Sequence, residues 1–151
     1  ENSMRRLATE MGLNDVLIWV GECSNMVEVY NALDIASSSS YGEGFPNMIG
    51  EAMSCGVPCQ VTDVGDSSLI LDQMEFVVPP NDSEALCSAW RNILMLDHKD
   101  LQSKVISARE RMISQFSILR LLRSTEMTLF KEVGCVESAT TSGDKENHYG
   151  R

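Results

Sequence analysis

Apolar runs alternate along the chain with segments of helical periodicity, which is the pattern of a parallel sheet covered by helices on both faces. The first apolar run, at 16–20, predicts a buried strand ending at Gly21, and shorter runs predict strands at 35–38, 59–62 and 76–78. Helices are predicted at 3–11, 25–33, 47–54, 67–71, 83–96, 97–115 and 117–133. This order predicts an α/β fold.

Capping residues and helix breakers support several of these boundaries. Asn25 is followed three residues later by Glu28, a spacing that resembles a capping box. Gly56 with Pro58 two residues later is typical of a helix exit. N-caps of the last three helices are predicted at Asp82 or Ser83, Asp97 and Ser117. The last of these helices carries a face of apolar residues, so we expect part of its surface to need a partner.

Charge is distributed unevenly along the chain. The formal net charge is −10, and between Arg6 and Arg91 there are thirteen Asp and Glu residues but no Lys, Arg or His. This excess of negative charge argues against nucleic acid or an anionic membrane surface as a direct partner. The arginines between 109 and 123 are interpreted as solvated helix faces.

The five cysteines include no C-x-x-C pair, so they predict free thiols in a reducing, cytoplasmic compartment. Cys55 and Cys59 are interpreted as small buried residues, and no metal site is predicted. Trp19 and Trp90 are expected in the core. No run approaches about 18 consecutive apolar residues, so no membrane span is predicted, and peripheral membrane association of the full-length protein is left open.

The most informative segment, 43–51, reads E-G-F-P-N-M-I-G-E, with seven residues between Glu43 and Glu51. Glu43 is predicted in a loop, and Glu51 about one turn inside the following helix. Pro46 at the expected first helical position presets φ and leaves the first backbone N–H groups free to face an anion. Because an ionised carboxylate can accept two hydrogen bonds, the two acids could hold hydroxyl groups on one ligand.

Together with 57–65 (V-P-C-Q-V-T-D-V-G) and 76–82 (F-V-V-P-P-N-D), this segment resembles the donor-binding, C-terminal domain of retaining GT-B-fold glycosyltransferases of the family 4, or group 1, type. The similarity runs from about Leu7 to Phe130. It implies a Rossmann-like parallel sheet flanked by helices, lacking the domain's first strands. It also implies transfer of a sugar from a nucleotide diphosphate sugar to an acceptor hydroxyl, with retained anomeric configuration and without a metal or other cofactor.

The resemblance implies a donor site at the carboxyl ends of the strands. Glu43 would be the catalytic residue: it would hold the donor sugar's hydroxyls by hydrogen bonds and position the donor without attacking it. Glu51 would bind the ribose hydroxyls. The other donor-binding residues would be Gly21 and Glu22 near the base, Gly44, Phe45, Pro46 and Asn47 at the phosphates, and Gly65 beside the sugar. Asp66 departs from the family, which more often has Gly-Gly there.

Each of these residues also has an ordinary structural interpretation. Glu43 could be an exposed loop acid, and Glu51 a helix acid near a positive dipole end. Phe45 could serve packing, and Asn47 could satisfy backbone groups at the helix start.

A length of 151 residues predicts one domain. The family's donor domain begins with two strands and a helix that this sequence lacks, and its basic diphosphate-binding residues lie there or close by. Residues 1–136 are therefore interpreted as a partial donor-binding domain, and the polar, aperiodic residues 137–151 as a mobile tail. The acceptor, a glycan, lipid or small molecule, would bind a missing N-terminal domain. We expect this chain alone to be inactive and to bind the donor weakly.

Two other functions remain open. A GT-B-fold nucleotide-sugar epimerase would need further acid and base residues, and no His occurs before residue 98. A non-catalytic nucleotide-sugar-binding module needs no such residues. A Rossmann-like dehydrogenase is disfavoured because the chain contains no G-x-G-x-x-G.

Overall fold

The structure, a computed structural model, describes residues 2–132, so the predictions for 137–151 lie outside the described residues. The elements are α1 (Asn2–Glu10), α2 (Met26–Asn31), β1 (Ala36–Ser38), α3 (Asn47–Ser54), β2 (Cys59–Thr62), α4 (Ser67–Leu71), a 3-10 turn (Met74–Phe76), β3 (Val77–Val78), α5 (Ser83–Leu94), α6 (His98–Gln115) and α7 (Ile118–Glu132).

Within residues 2–132 the strands form one parallel sheet in the order β1-β2-β3. Ala36 lies opposite Cys59, and Val61 lies opposite Val77. All four residues of the central strand are buried, as expected for a strand covered on both faces. The predicted α/β architecture, a parallel sheet flanked by helices, is confirmed.

The hydrophobic core lies where α3, α4 and α6 meet the central strand. Ile49 and Met53 of α3, with Ile70 and Leu71 of α4, are buried almost completely. Burying a side chain of this size stabilises the fold by about 1.5–3 kcal/mol. Cys59 is buried beside them, as predicted, whereas Cys55 is only half-buried. This packing fixes α3, the helix that carries Glu51.

The predicted strand at 16–20 is wrong. All five residues are exposed, with Ile18 at 88%, and they form turns and irregular backbone. A strand is held by hydrogen bonds to a neighbouring strand and by packing on its faces. In the part of the chain that the structure describes, no strand runs beside this segment.

The two tryptophans are not in the core, contrary to the prediction. Trp19 is 40% exposed and Trp90 is 39% exposed. The Arg5 guanidinium lies 4.9 Å from the centre of the Trp19 ring. The Trp90 indole N–H donates to Ser37 Oγ at 3.0 Å. Both rings lie partly in solvent with a polar or cationic neighbour, an arrangement that suits amphipathic aromatic side chains.

The predicted caps differ in outcome. Asp82 and Asp97 each accept a hydrogen bond from a backbone N–H in the first turn of the following helix, at 2.8 Å, so both are N-caps. Asn25 precedes α2, but its side chain makes no capping hydrogen bond within residues 2–132. Pro46 is the N-cap of α3 and not its first helical residue, with φ −77° and ψ 84°.

Candidate functional site

Two loops at the carboxyl ends of neighbouring strands are in direct contact. The first follows β1 (residues 39–46), and the second follows β2 (residues 63–66). The Asp66 N–H donates to the Gly44 carbonyl at 3.0 Å. Gly65 adopts φ +53°, and a Cβ built on it would lie 2.1 Å from the Glu43 carbonyl oxygen. The second loop therefore approaches the first so closely that only glycine fits at position 65.

A chain of hydroxyl groups orients the Glu43 carboxylate. Ser40 Oγ donates to Glu43 Oε1 at 2.6 Å, and Ser38 Oγ lies 3.1 Å from Ser40 Oγ. The Thr62 hydroxyl donates to the Ser40 carbonyl at 2.6 Å, which ties the first loop to the central strand. Within residues 2–132, Glu43 Oε2 accepts no hydrogen bond, so this oxygen remains available to a ligand.

The Glu51 carboxylate is held in a similar way from a different helix. The Tyr30 hydroxyl on α2 donates to Glu51 Oε2 at 2.8 Å. Tyr30 is buried, whereas Glu51 is exposed. Burial, and then the hydrogen bond and negative charge of Glu51, raise the pKa of Tyr30 to about 12, so the phenol keeps its proton at neutral pH.

A cavity of about 900 Å³ opens between α2, α3 and the corner where α6 meets α7. Its lining includes Tyr30, Phe45, Asn47, Glu51, Met112 and Phe116. The volume lies in the range of sites for small molecules and cofactors. The Phe45 and Phe116 rings pack with their centres 5.8 Å apart at 59°. Phe45 therefore has both a packing contact and a face on the cavity.

The structure brings only some of the predicted site residues to this cavity. Phe45, Asn47 and Glu51 line it, while Glu43 lies in the adjoining loop and is not a lining residue. Gly21 and Glu22 are exposed and do not line it either, but Ser24 and the three residues after it do. Pro46 is buried at the start of α3, and Gly65 packs against the first loop.

Sequence reasoning missed Tyr30, Met112 and Phe116 as cavity residues. It also misjudged Arg111, which was predicted on a solvated face. The Arg111 side chain is 23% exposed and pairs with Asp72 at 2.8 Å. It also donates to the Leu69 and Ile70 carbonyls of α4, and its guanidinium lies 5.8 Å from the centre of the Phe116 ring. No short-range signal in the sequence points to these contacts, because they join residues far apart in the chain.

Positive charge is scarce around the site. Among the described residues that line the 900 Å³ cavity there is no Lys, Arg or His. Arg120 lines a smaller adjoining cavity of about 350 Å³, together with Phe45 and Phe116. Within residues 2–132, no group of three or more His, Cys, Asp or Glu side chains is arranged to hold a metal ion. Nor does the described part of the chain contain a helix long and apolar enough to cross a membrane.

A family model described as "Glycosyl transferases group 1" matches residues 1–95. The chain belongs to this glycosyltransferase family. A lipopolysaccharide core biosynthesis mannosyltransferase, LpsB of Rhizobium meliloti, is 31% identical over 93 residues, which cover 59% of this chain and 26% of that protein. An α-1,3-galactosyltransferase of Escherichia coli is 27% identical over 114 residues, which cover 74% of this chain and 29% of that protein.

Solved structures agree with the family assignment. Sucrose-phosphate synthase from Thermosynechococcus elongatus superposes with a TM-score of 0.76 at 26% identity, covering 90% of this chain and 35% of that one. The C-terminal domain of a group 1 glycosyl transferase from Francisella tularensis gives 0.65 at 22% identity, covering 78% and 62%. The predicted GT-B, Rossmann-like C-terminal domain is thus confirmed, and the chain spans about a quarter to a third of the curated relatives' length.

Proposed function

We propose that this chain is the donor-binding part of a glycosyltransferase that moves a sugar from a nucleotide diphosphate sugar to an acceptor hydroxyl with retention of configuration. Family membership supports sugar transfer. The donor-site assignment is carried by one observation: Glu43 and Glu51 each have one carboxylate oxygen held by a protein hydroxyl, beside a cavity of nucleotide size. Such preorganised acceptors suit a ligand that presents hydroxyl groups.

In this proposal the two acids bind different parts of the donor. Glu51, on the cavity wall, accepts hydrogen bonds from the ribose hydroxyls. Glu43, in the adjoining loop, accepts them from the sugar and positions it, while the acceptor hydroxyl attacks the anomeric carbon as the nucleotide diphosphate leaves. Neither acid acts as a nucleophile. The negative charge of the leaving diphosphate is stabilised by the N-terminus of α3, which supplies about half a unit of positive charge. Basic residues outside the cavity lining supply the remaining positive charge.

The test of the Glu43 role is Glu43→Gln in the natural full-length protein. Losing charge-assisted hydrogen bonds worth about 1.5–3 kcal/mol should lower turnover by roughly 10- to 150-fold. The melting temperature should change little, because Glu43 is exposed. Glu28→Gln, on an exposed acid of α2, is the matched control and should leave turnover unchanged. Unchanged turnover in Glu43→Gln would remove this residue from the mechanism.

The reaction type is tested by following donor and acceptor separately. We expect donor consumption to require an acceptor, and nuclear magnetic resonance of the product to show the donor's anomeric configuration. Isomerisation of the nucleotide sugar without an acceptor would indicate an epimerase instead. Binding without turnover would indicate a non-catalytic module, and an inverted anomer would refute retention.

A further inference from the structure

The contact between Tyr30 and Glu51 joins α2 and α3, two neighbouring helices that both line the 900 Å³ cavity. Tyr30 is only 3% exposed, and Glu51 is exposed on α3. Both residues line the cavity, and the phenol donates to Glu51 Oε2 at 2.8 Å. A buried donor thus holds an acid that would otherwise move freely at the surface.

We propose that Tyr30 is a positioning residue, whose hydroxyl holds the Glu51 carboxylate so that its other oxygen accepts the ribose hydroxyls of the bound nucleotide. This inference rests on the proposed function, since it deepens the role given there to Glu51. It assigns to a residue outside the E-x7-E segment a part in nucleotide recognition.

The physical reason lies in the cost of ordering an exposed glutamate. Its long side chain has several rotatable bonds, and fixing it when a ligand arrives reduces the affinity. The Tyr30 hydroxyl is carried by a buried ring, so it is already fixed before the ligand binds. Holding Glu51 in advance transfers that ordering cost from binding to folding.

The second carboxylate oxygen of Glu51 is the one that would face the ligand. Within residues 2–132, Glu51 accepts one side-chain hydrogen bond, at Oε2, which leaves Oε1 for a ligand. Burial and the adjacent carboxylate raise the pKa of Tyr30 to about 12, so its hydroxyl keeps its proton and acts as a hydrogen-bond donor at neutral pH.

The experiment compares Tyr30→Phe with Glu51→Gln in the natural full-length protein. The probes are UDP, GDP and ADP as competitive inhibitors, followed by the 2′,3′-dideoxy form of the nucleotide that binds most tightly. Tyr30→Phe should weaken the ribonucleotide about 3- to 10-fold, the range expected for one net hydrogen bond. The dideoxy form should be unaffected. The KM for the donor should rise while kcat changes less than about two-fold.

Two further variants serve as controls. Tyr41→Phe removes the same atom from an exposed ring that does not line the cavity, and both probes should bind it as they bind the parent protein. Glu51→Asp keeps the charge but withdraws the carboxylate from Tyr30. It should lose ribonucleotide affinity as Tyr30→Phe does, which provides a test even if Tyr30→Phe fails to fold.

The outcomes separate this inference from the proposed function. If Glu51→Gln loses the preference for the ribonucleotide while Tyr30→Phe and Glu51→Asp keep it, the positioning role is refuted and the donor site stands. If Tyr30→Phe weakens both probes equally, Tyr30 only joins α2 to α3, and the inference is again refuted. If Glu51→Gln itself retains the preference, the ribose-binding role of Glu51 in the proposed function is wrong.

Discussion

Replacing Gly65 by Ala tests whether the contact between the two loops holds the site together. In the structure, an added Cβ would lie 2.1 Å from the Glu43 carbonyl oxygen and 2.7 Å from that of Gly44. Both neighbours are backbone atoms, so neither can rotate away as a flexible side chain would. The substitution must therefore move one loop relative to the other.

The expected loss of stability has two parts. A left-handed conformation costs an L-residue about 1–2 kcal/mol, and Gly65 adopts φ +53°. Overpacking at a tight contact adds about 1–3 kcal/mol. Together they predict a decrease of about 2–5 kcal/mol in the free energy of unfolding, a large part of the roughly 5–15 kcal/mol that stabilises an ordinary domain.

Urea unfolding of the 151-residue chain measures this loss, with two glycines as matched controls. Gly12 also has a positive φ, of +68°, but no atom of the described residues outside its chain neighbours lies within 4 Å of its added Cβ. Gly12→Ala should therefore show only the conformational part. Gly42 has neither constraint in the described structure, and Gly42→Ala should change stability by less than about 0.5 kcal/mol. If Gly65→Ala loses no more than Gly12→Ala, the inferred contact is wrong.

Four further predictions follow from charge and burial. Burial raises the pKa of the Cys59 thiol to about 12, so iodoacetamide at pH 8 should modify this thiol only after unfolding. Mass spectrometry of the modified peptides would show which cysteines have reacted. Burial raises the pKa of Tyr30 from 10.0 to about 12, so between pH 10 and 12 the phenol ionises in the unfolded chain but not in the folded one. The free energy of unfolding should therefore fall over this pH range, and the urea midpoint of Tyr30→Phe should not show this fall. The hydrogen bond from Lys104 lowers the pKa of Glu75, so the ionised Glu75 carboxylate should stabilise the fold above pH 4.5 and lose this contribution in acid. In Lys104→Met the urea midpoint should therefore decrease less as the pH is lowered. Calorimetry of the 151-residue chain with UDP- and GDP-sugars should detect no micromolar binding, because the cavity lining in residues 2–132 has no cation; micromolar affinity would contradict this.

Features encoded by neighbouring residues were predictable from the sequence. The Asp97 cap depends on a side chain and a backbone N–H three residues apart, and the exit of α3 depends on Gly56 with its φ of +79°. The strand at 59–62 was predicted because its apolar residues and its flanking turns are all local. Such signals need no knowledge of what packs against the segment.

Features that depend on distant partners were not predictable. The run at 16–20 is as apolar as a buried strand, but a strand forms only beside another, and none lies there in the described structure. Trp90 has the hydrophobicity of a core residue, yet its indole donates to Ser37 on β1 at the surface. Likewise, the E-x7-E spacing indicates Glu51, whereas its hydrogen bond to Tyr30 on another helix is invisible in a single sequence.

The packing of Phe45 against Phe116 bears on how hybrid enzymes should be built from members of this family. The Arg111 guanidinium contacts the Phe116 ring and also donates a hydrogen bond to a carbonyl of α4. Segment 43–51 is therefore packed, through Phe45, against the corner where α6 meets α7. A chimaera joined between α3 and α6 would take Phe45 from one parent and the residue at position 116 from the other, so the two packed rings would no longer come from the same protein. Crossover points placed beyond α7 keep both rings from the same parent.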